Sequence, residues 1–130
     1  MVATAKPKPD KIQTTIKGLV ASWRGAWEAE RLNDYISHYH PAFSNKGKNL
    51  LDWKCYKRRL NKRYKKIPVS ISDLKVKGTG NKAFAHFKQR YRTESYDAEG
   101  YKRLEFRKMG AAWKIFRERS YSSKPSGWPK

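Results

Sequence analysis

Between residues 83 and 106 apolar and charged positions alternate with a period of two. Ala83, Ala85, Phe87, Gln89 and Tyr91 form one set, and Phe84, His86, Lys88, Arg90 and Arg92 stand between them. Alternation of this kind puts the two sets on opposite faces of a β-strand. Residues 93–100 supply turn chemistry through Ser95, Asp97 and Gly100, and Lys102, Leu104 and Phe106 resume the period on a return strand. The pattern predicts a long antiparallel hairpin with one wet, basic face. Its other face carries Gln89 and Lys102 among apolar residues. Polar groups on a core-facing stripe need partners, so this face is expected to line a cavity. The alternative is that Lys102 snorkels out at the strand edge.

Helical spacing dominates the first half. Ile12, Ile16, Leu19, Val20, Trp23 and Trp27 fall on one stripe of a helix running from a cap at Asp10 to about residue 30. Asn33 or Asp34 is expected to cap a short second helix, with Tyr35, Ile36 and Tyr39 facing inward before Pro41 ends it. Residues 42–48 read as a loop or short strand. A third helix over residues 50–66 carries Trp53, Tyr56, Leu60, Tyr64 and Ile67 at intervals of three or four. Val69, Ile71, Leu74 and Val76 make a strand with a bulge near Asp73, where the alternation changes phase. Residues 78–81 turn into the hairpin, and Gly110 turns into a last strand with Trp113, Ile115 and Glu118. The order is three helices, then four antiparallel strands: an α+β domain with helices on one sheet face. The boundaries read as a disordered tail or linker over 1–9, the domain over 10–120 and a Ser/Pro/Gly tail over 121–130.

A chain of 130 residues supports one domain and one core. Charge changes the picture more than length does. The formal net charge of +20 favours a polyanionic partner, whether nucleic acid, acidic lipid or an anionic envelope polymer. Nearly every non-apolar position of the third helix is cationic. Lys54, Lys57, Arg58, Arg59, Lys62 and Arg63 there, with Lys88, Arg90 and Arg92 on the outward strand face, are the candidate polyanion contacts. No apolar run is long enough to span a bilayer, and the opening residues lack the apolar core of a signal peptide. The chain is therefore either cytoplasmic or a domain excised from a longer exported protein and begun with an added Met.

Separated blocks occur in a recognisable order: WRGAWEAERLNDYISHYHPAF at 23–43, Trp53 with Leu60, IPVSISDLKV at 67–76, AFAHFKQRYRTESY at 83–96, Lys102 with Leu104, and WKIFRE at 113–118. On these the chain resembles the nuclear-transport-factor-2-like (SnoaL-like) fold, and more narrowly the accessory domain of bacterial L,D-transpeptidase (YkuD-type) cell-wall proteins. The resemblance implies a cone in which a curved sheet wraps over the helices and whose mouth accepts a ligand or a neighbouring domain. It implies Tyr35, Tyr39, Trp53, Gln89, Tyr91, Lys102 and Glu118 as pocket residues, and it favours an envelope or periplasmic location over a cytoplasmic one.

Catalytic chemistry is sparse. Cys55 sits in DWKCYKR without the Ser-x-Gly-Cys setting of a transpeptidase nucleophile, which reads as a bystander on a helix. Glu118 is the best candidate base for an isomerase or dehydratase, with Tyr39 or Tyr91 as donors, but Lys102 offers it a plain ion pair. His38, His40 and His86 have no companion at metal-ligand spacing. No cofactor and no metal are expected. The leading expectation is a non-catalytic accessory domain with a cone pocket and a basic exterior, contacting anionic cell-wall material or a partner enzyme domain. A small-molecule enzyme and a nucleic-acid binder are the alternatives, and a homodimer through the sheet is left open.

Overall fold

The structure is a computed structural model and describes residues 9–63, 68–93 and 96–129. The expected disordered tail over 1–8 and the last turn of the third helix, with Tyr64 and Ile67, lie outside the described residues, as does Ser95. Helix α1 spans Pro9–Glu28. It begins at Pro9 rather than after a cap at Asp10, a position that proline's fixed φ and missing N–H suit. Ile12, Ile16, Val20, Trp23, Ala26 and Trp27 recur at helical spacing and are all buried. The helix ends in a double backbone closure, Arg31 N–H to the Ala26 carbonyl and Glu30 N–H to the Trp27 carbonyl, with Glu30 at a positive φ of 57°.

Helix α2 (Leu32–Ser37) follows. Neither Asn33 nor Asp34 caps it: both lie inside the helix, and Arg31 before it makes no side-chain cap. Tyr39 is not on this helix either. It opens strand β1 (Tyr39–Asn45), which runs through Pro41 and turns at Lys46 and Gly47 into the two-residue β2 (Lys48–Asn49). Both turn residues have positive φ, 50° and 80°, the geometry a two-residue hairpin needs. Asn49 then starts α3 (Leu50–Arg63), exchanging side-chain to backbone hydrogen bonds with Asp52.

Strands β3 (Val69–Thr79), β4 (Lys82–Thr93), β5 (Tyr96–Met109) and β6 (Ala112–Tyr121) form the antiparallel meander read from the sequence. The sheet has six strands, however, in the order β2-β1-β6-β5-β4-β3, and β1 joins parallel to β6. The bulge near Asp73 is present: Asp73 has φ of 54° and the register shifts between Ser72 and Lys75. The hairpin closes more tightly than expected. Asp97 and Gly100 are strand residues, paired with Arg92 and Gln89, not turn residues. Gly100 is required by close approach, since a Cβ there would lie 2.7 Å from the Tyr121 carbonyl oxygen.

One face of the sheet buries Ala83, Ala85, Phe87, Leu104, Phe106 and Ile115 in one core with the apolar stripe of α1. Trp128 folds back onto the other face, its ring centroid 4.8 Å from His86, 5.6 Å from Tyr101 and 6.0 Å from Tyr121.

Candidate functional site

The inward rows of β4, β5 and β6 change character along their length. At one end they are apolar and pack on α1. At the other they carry Gln89, Tyr91, Lys102 and Glu118, and α3 stands off from them. The gap is a cleft of about 600 Å³, lined among others by Trp27, Tyr56, Lys57, Gln89, Tyr91 and Lys102. A second hollow of about 360 Å³ shares Tyr56, Lys57 and Lys102 and reaches Trp53, Glu118 and the β1–β2 turn. Lys102 is 5% exposed and does not snorkel outward.

Its ammonium donates to Glu118 Oε2 at 2.9 Å, and both side chains are buried. Glu118 Oε1 accepts the Tyr39 hydroxyl at 2.7 Å. With its proton so used, the Tyr39 oxygen accepts from Trp23 Nε1 at 2.9 Å and from the Tyr35 hydroxyl at 2.7 Å. A satisfied network of this kind is stiff and specifies one arrangement. Burial, then the charge of Glu118, raises both tyrosines well above the ordinary phenol value, so they remain neutral donors. For Glu118 burial works to raise the carboxyl, but Lys102 and Lys57 outweigh it and hold it below the ordinary range.

Lys57 is the residue the sequence misassigned. It was expected on the outer, polyanion-facing side of α3; it is 6% exposed and points into the cleft. Its position explains this, because Lys57 follows Trp53 by four residues and precedes Leu60 by three, on the helix's apolar stripe. The ammonium lies 4.4 Å from the Trp27 ring centroid, 5.0 Å from Trp53, 5.5 Å from Tyr35 and 6.0 Å from Tyr56. Among the described residues it has no acid within ion-pair distance. Burial, which Glu118 opposes and Lys102 reinforces, lowers the amine from 10.5 to about 7. Two lysines therefore face one carboxylate, and with Lys57 protonated the cleft floor carries a surplus of positive charge. Gln89 adds a buried Oε1 with no hydrogen-bond partner among the described residues.

Of the residues expected in the pocket, Gln89, Tyr91 and Lys102 line the main cleft, and Trp53 and Glu118 line the adjoining hollow. Tyr35 and Tyr39 do not line the cleft: they lie beneath it, 2% and 3% exposed, with their hydroxyls committed to the network. Trp27 and Tyr56 are cleft residues that sequence reasoning left in the core. Arg58, Arg59, Lys62 and Arg63 are exposed on α3 and Lys54 is half-buried there. The outward cations of β4 are paired: Lys88 with Glu99 at 3.0 Å, Arg90 with Asp97 at 3.0 Å and Arg92 with Asp97 at 3.6 Å. His38 is structural, bonded to the Asp34 carbonyl and Ser22 Oγ. Cys55 is half-buried on α3.

The family of the Cds6 C-terminal NTF2-like domain matches residues 15–119. Among solved structures the chain is similar to Bd1075 of Bdellovibrio bacteriovorus, with a TM-score of 0.81 and 28% identity over 86% of this chain and 41% of that one. It is similar also to Campylobacter jejuni Pgp2 (K307A mutant), TM-score 0.78 and 18% identity, covering 86% of this chain and 41% of that one. A third likeness is to a candidate dehydratase of the NTF2-like family from Streptomyces avermitilis, TM-score 0.74 and 13% identity, covering 88% and 97%. The chain thus spans about two fifths of the first two proteins and nearly all of the third. No curated protein matches it.

Proposed function

Because the chain belongs to the family of the Cds6 C-terminal NTF2-like domain, we propose that it is a non-catalytic binding domain of a cell-envelope protein, whose cone-shaped cleft takes an anionic fragment of wall material or the surface of a partner enzyme domain. The observation that carries this reading is the charge balance of the cleft floor, where among the described residues Lys57 and Lys102 face Glu118 alone. A buried cation without an acid is costly, and an incoming anionic group would relieve that cost. Tyr56 and Tyr91 give the same ligand flat apolar walls. Context supports the envelope. Pgp2 is described as a helical cell shape determining protein, and it and Bd1075 are both more than twice as long as this chain. An accessory module attached to a wall enzyme, in an exported parent, accommodates both facts.

Co-sedimentation with purified peptidoglycan at low and high salt tests the reading. The expected result is retention at low salt, weakened by salt and by Lys57→Met. Failure to sediment at low salt would remove the wall-binding function.

A second reading, a small-molecule dehydratase or isomerase, is favoured by the Tyr39–Glu118 contact and the Streptomyces likeness. Against it, a general base works best with a value near the operating pH, and Glu118 is held low by two lysines. Turnover abolished by Glu118→Gln in a fully folded protein would restore the enzyme reading.

A further inference from the structure

The outward side of the sheet carries an arrangement that the cleft does not use. Register places Lys75 opposite His86, His86 opposite Arg103 and Arg103 opposite Arg119. One basic row therefore crosses β3, β4, β5 and β6 without an acid in it. Neighbouring strands lie about 4.8 Å apart, so the row extends roughly 14 Å. Like charges directly opposite one another destabilise a sheet. Arg103 and Arg119 nevertheless stand opposite, and among the described residues Lys75, Arg103 and Arg119 have no acidic partner. In the next row Glu105 faces Arg117 across the strands, but its carboxylate pairs with Arg107 at 2.8 Å, leaving Lys77 and Arg117 without an acid as well. The excess positive field is felt at His86, where burial first and then Arg103 and Lys77 push the ring down to about 4.

Trp128 decides what kind of polyanion suits this face. It stands nearly perpendicular to His86, Tyr101 and Tyr121, at interplanar angles of 89°, 78° and 80°. These rings are engaged with one another, so the row is not flanked by a ladder of free rings on which successive bases stack. What it offers is the cations Lys75, Arg103 and Arg119, with Lys77 and Arg117 in the adjoining row. A second copy of the chain is a poor occupant, because the face would meet its own cations. A membrane surface engages a broad basic patch, whereas the flanking cations Lys88, Arg90 and Arg92 are all held in ion pairs by Glu99 and Asp97.

We infer that the row Lys75–Arg103–Arg119 is a docking site for an anionic glycan strand, whose carboxylate or phosphate groups meet the cations one by one as the strand lies across β3 to β6. The choice of a glycan rests on the envelope reading above. The site itself does not, since it lies on the opposite side of the sheet from the cleft.

Binding of the whole chain to polygalacturonate oligomers, followed by fluorescence anisotropy across a salt series, tests this. The Arg103→Gln/Arg119→Gln variant is expected to weaken binding at low salt at least tenfold. It should also flatten the log–log salt slope by roughly 1.5, as for two lost anion contacts. Lys88→Gln/Arg90→Gln should bind as wild type does. Relief of the like-charge pair means that the first variant should unfold no earlier than wild type; if it does, the exposed Arg119→Gln alone replaces it, with half the change in slope. An unchanged slope, or equal loss from the Lys88/Arg90 variant, overturns the site. Tighter, Arg103-dependent binding of a thymidine oligomer or of phosphatidylglycerol vesicles overturns the glycan assignment. The slope change on Arg103→Gln/Arg119→Gln, persisting in a Lys57→Met background, separates this face from the cleft.

Discussion

Replacing Lys57 by Met should stabilise the fold at neutral pH while removing the cleft's surplus charge. The side chain is 6% exposed, and burial brings its amine from 10.5 to about 7. A change of that size corresponds to roughly 5 kcal/mol against the charged form. The aromatic cage, with Trp27 at 4.4 Å and Trp53 at 5.0 Å, offsets about 2 kcal/mol of this through cation–π attraction. Methionine has a similar length and makes favourable sulfur–aromatic contacts in the same space. It also leaves Lys102 and Glu118 as a balanced pair. The expected gain is about 1–3 kcal/mol at neutral pH, or on the order of 5–10 °C in Tm for a domain of this size. Its pH dependence is specific. The folded amine lies below its unfolded value, so the folded chain binds fewer protons between about 7 and 10.5, and wild-type stability rises with pH across that window. The Met variant lacks this rise, and the two stability curves should converge toward about pH 10. Thermal unfolding followed by circular dichroism over that range measures both effects. A variant less stable than wild type at neutral pH, or a gap that does not change with pH, would refute the buried-cation reasoning.

Other expectations follow from the same geometry. Glu118→Gln leaves Lys102 buried without its acid and should cost about 3–5 kcal/mol in urea unfolding, much of it recovered by adding Lys102→Met. Since the folded Glu118 carboxyl lies below its ordinary value, its contribution should be intact at neutral pH and fade on acidification below the usual carboxylate range, an effect absent from Glu118→Gln. Gly100→Ala forces a Cβ to 2.7 Å from the Tyr121 carbonyl and should destabilise by about 1–3 kcal/mol, while Ala at the open Gly25 should not. Trp128→Ala uncovers His86, whose titration, read by NMR, should move up from about 4 toward an ordinary histidine.

The elements with regular period were legible in the sequence. The α1 stripe and the alternation of β4 and β5 placed Trp23, Phe87, Gln89 and Lys102 on the correct face without any tertiary information. Strand β1 was legible only in part: residues 42–48 read as a loop or short strand, while Tyr39 was placed on the helix before it. Its buried residues Tyr39 and Phe43 are four apart, a helical interval, and Pro41 between them argues against a strand. Its stability comes from parallel pairing with β6, more than seventy residues away, which no local pattern encodes. Lys57 was readable from its place on the α3 stripe between Trp53 and Leu60, but it stands in a run of cations that reads as a solvated helix face. The outward row escaped for a different reason. Lys75, His86, Arg103 and Arg119 become neighbours only through strand register, and the bulges near Asp73 and Glu105 shift that register by steps the chain does not announce. Ion pairing was hidden in the same way, since Asp97 and Glu99 read as turn residues and proved to neutralise Arg90 and Lys88 across the hairpin.

The central claim is that the cleft binds an anionic ligand over Lys57 and Lys102. Titrating isotope-labelled protein with a soluble muropeptide and following backbone amide shifts by NMR addresses it most directly. The account predicts saturable shifts clustered at Lys57, Gln89, Tyr91 and Lys102, absent in Lys57→Met and much reduced when the muropeptide's carboxylates are amidated. Shifts confined to the outward strand faces, or equal affinity for the amidated ligand, would contradict it.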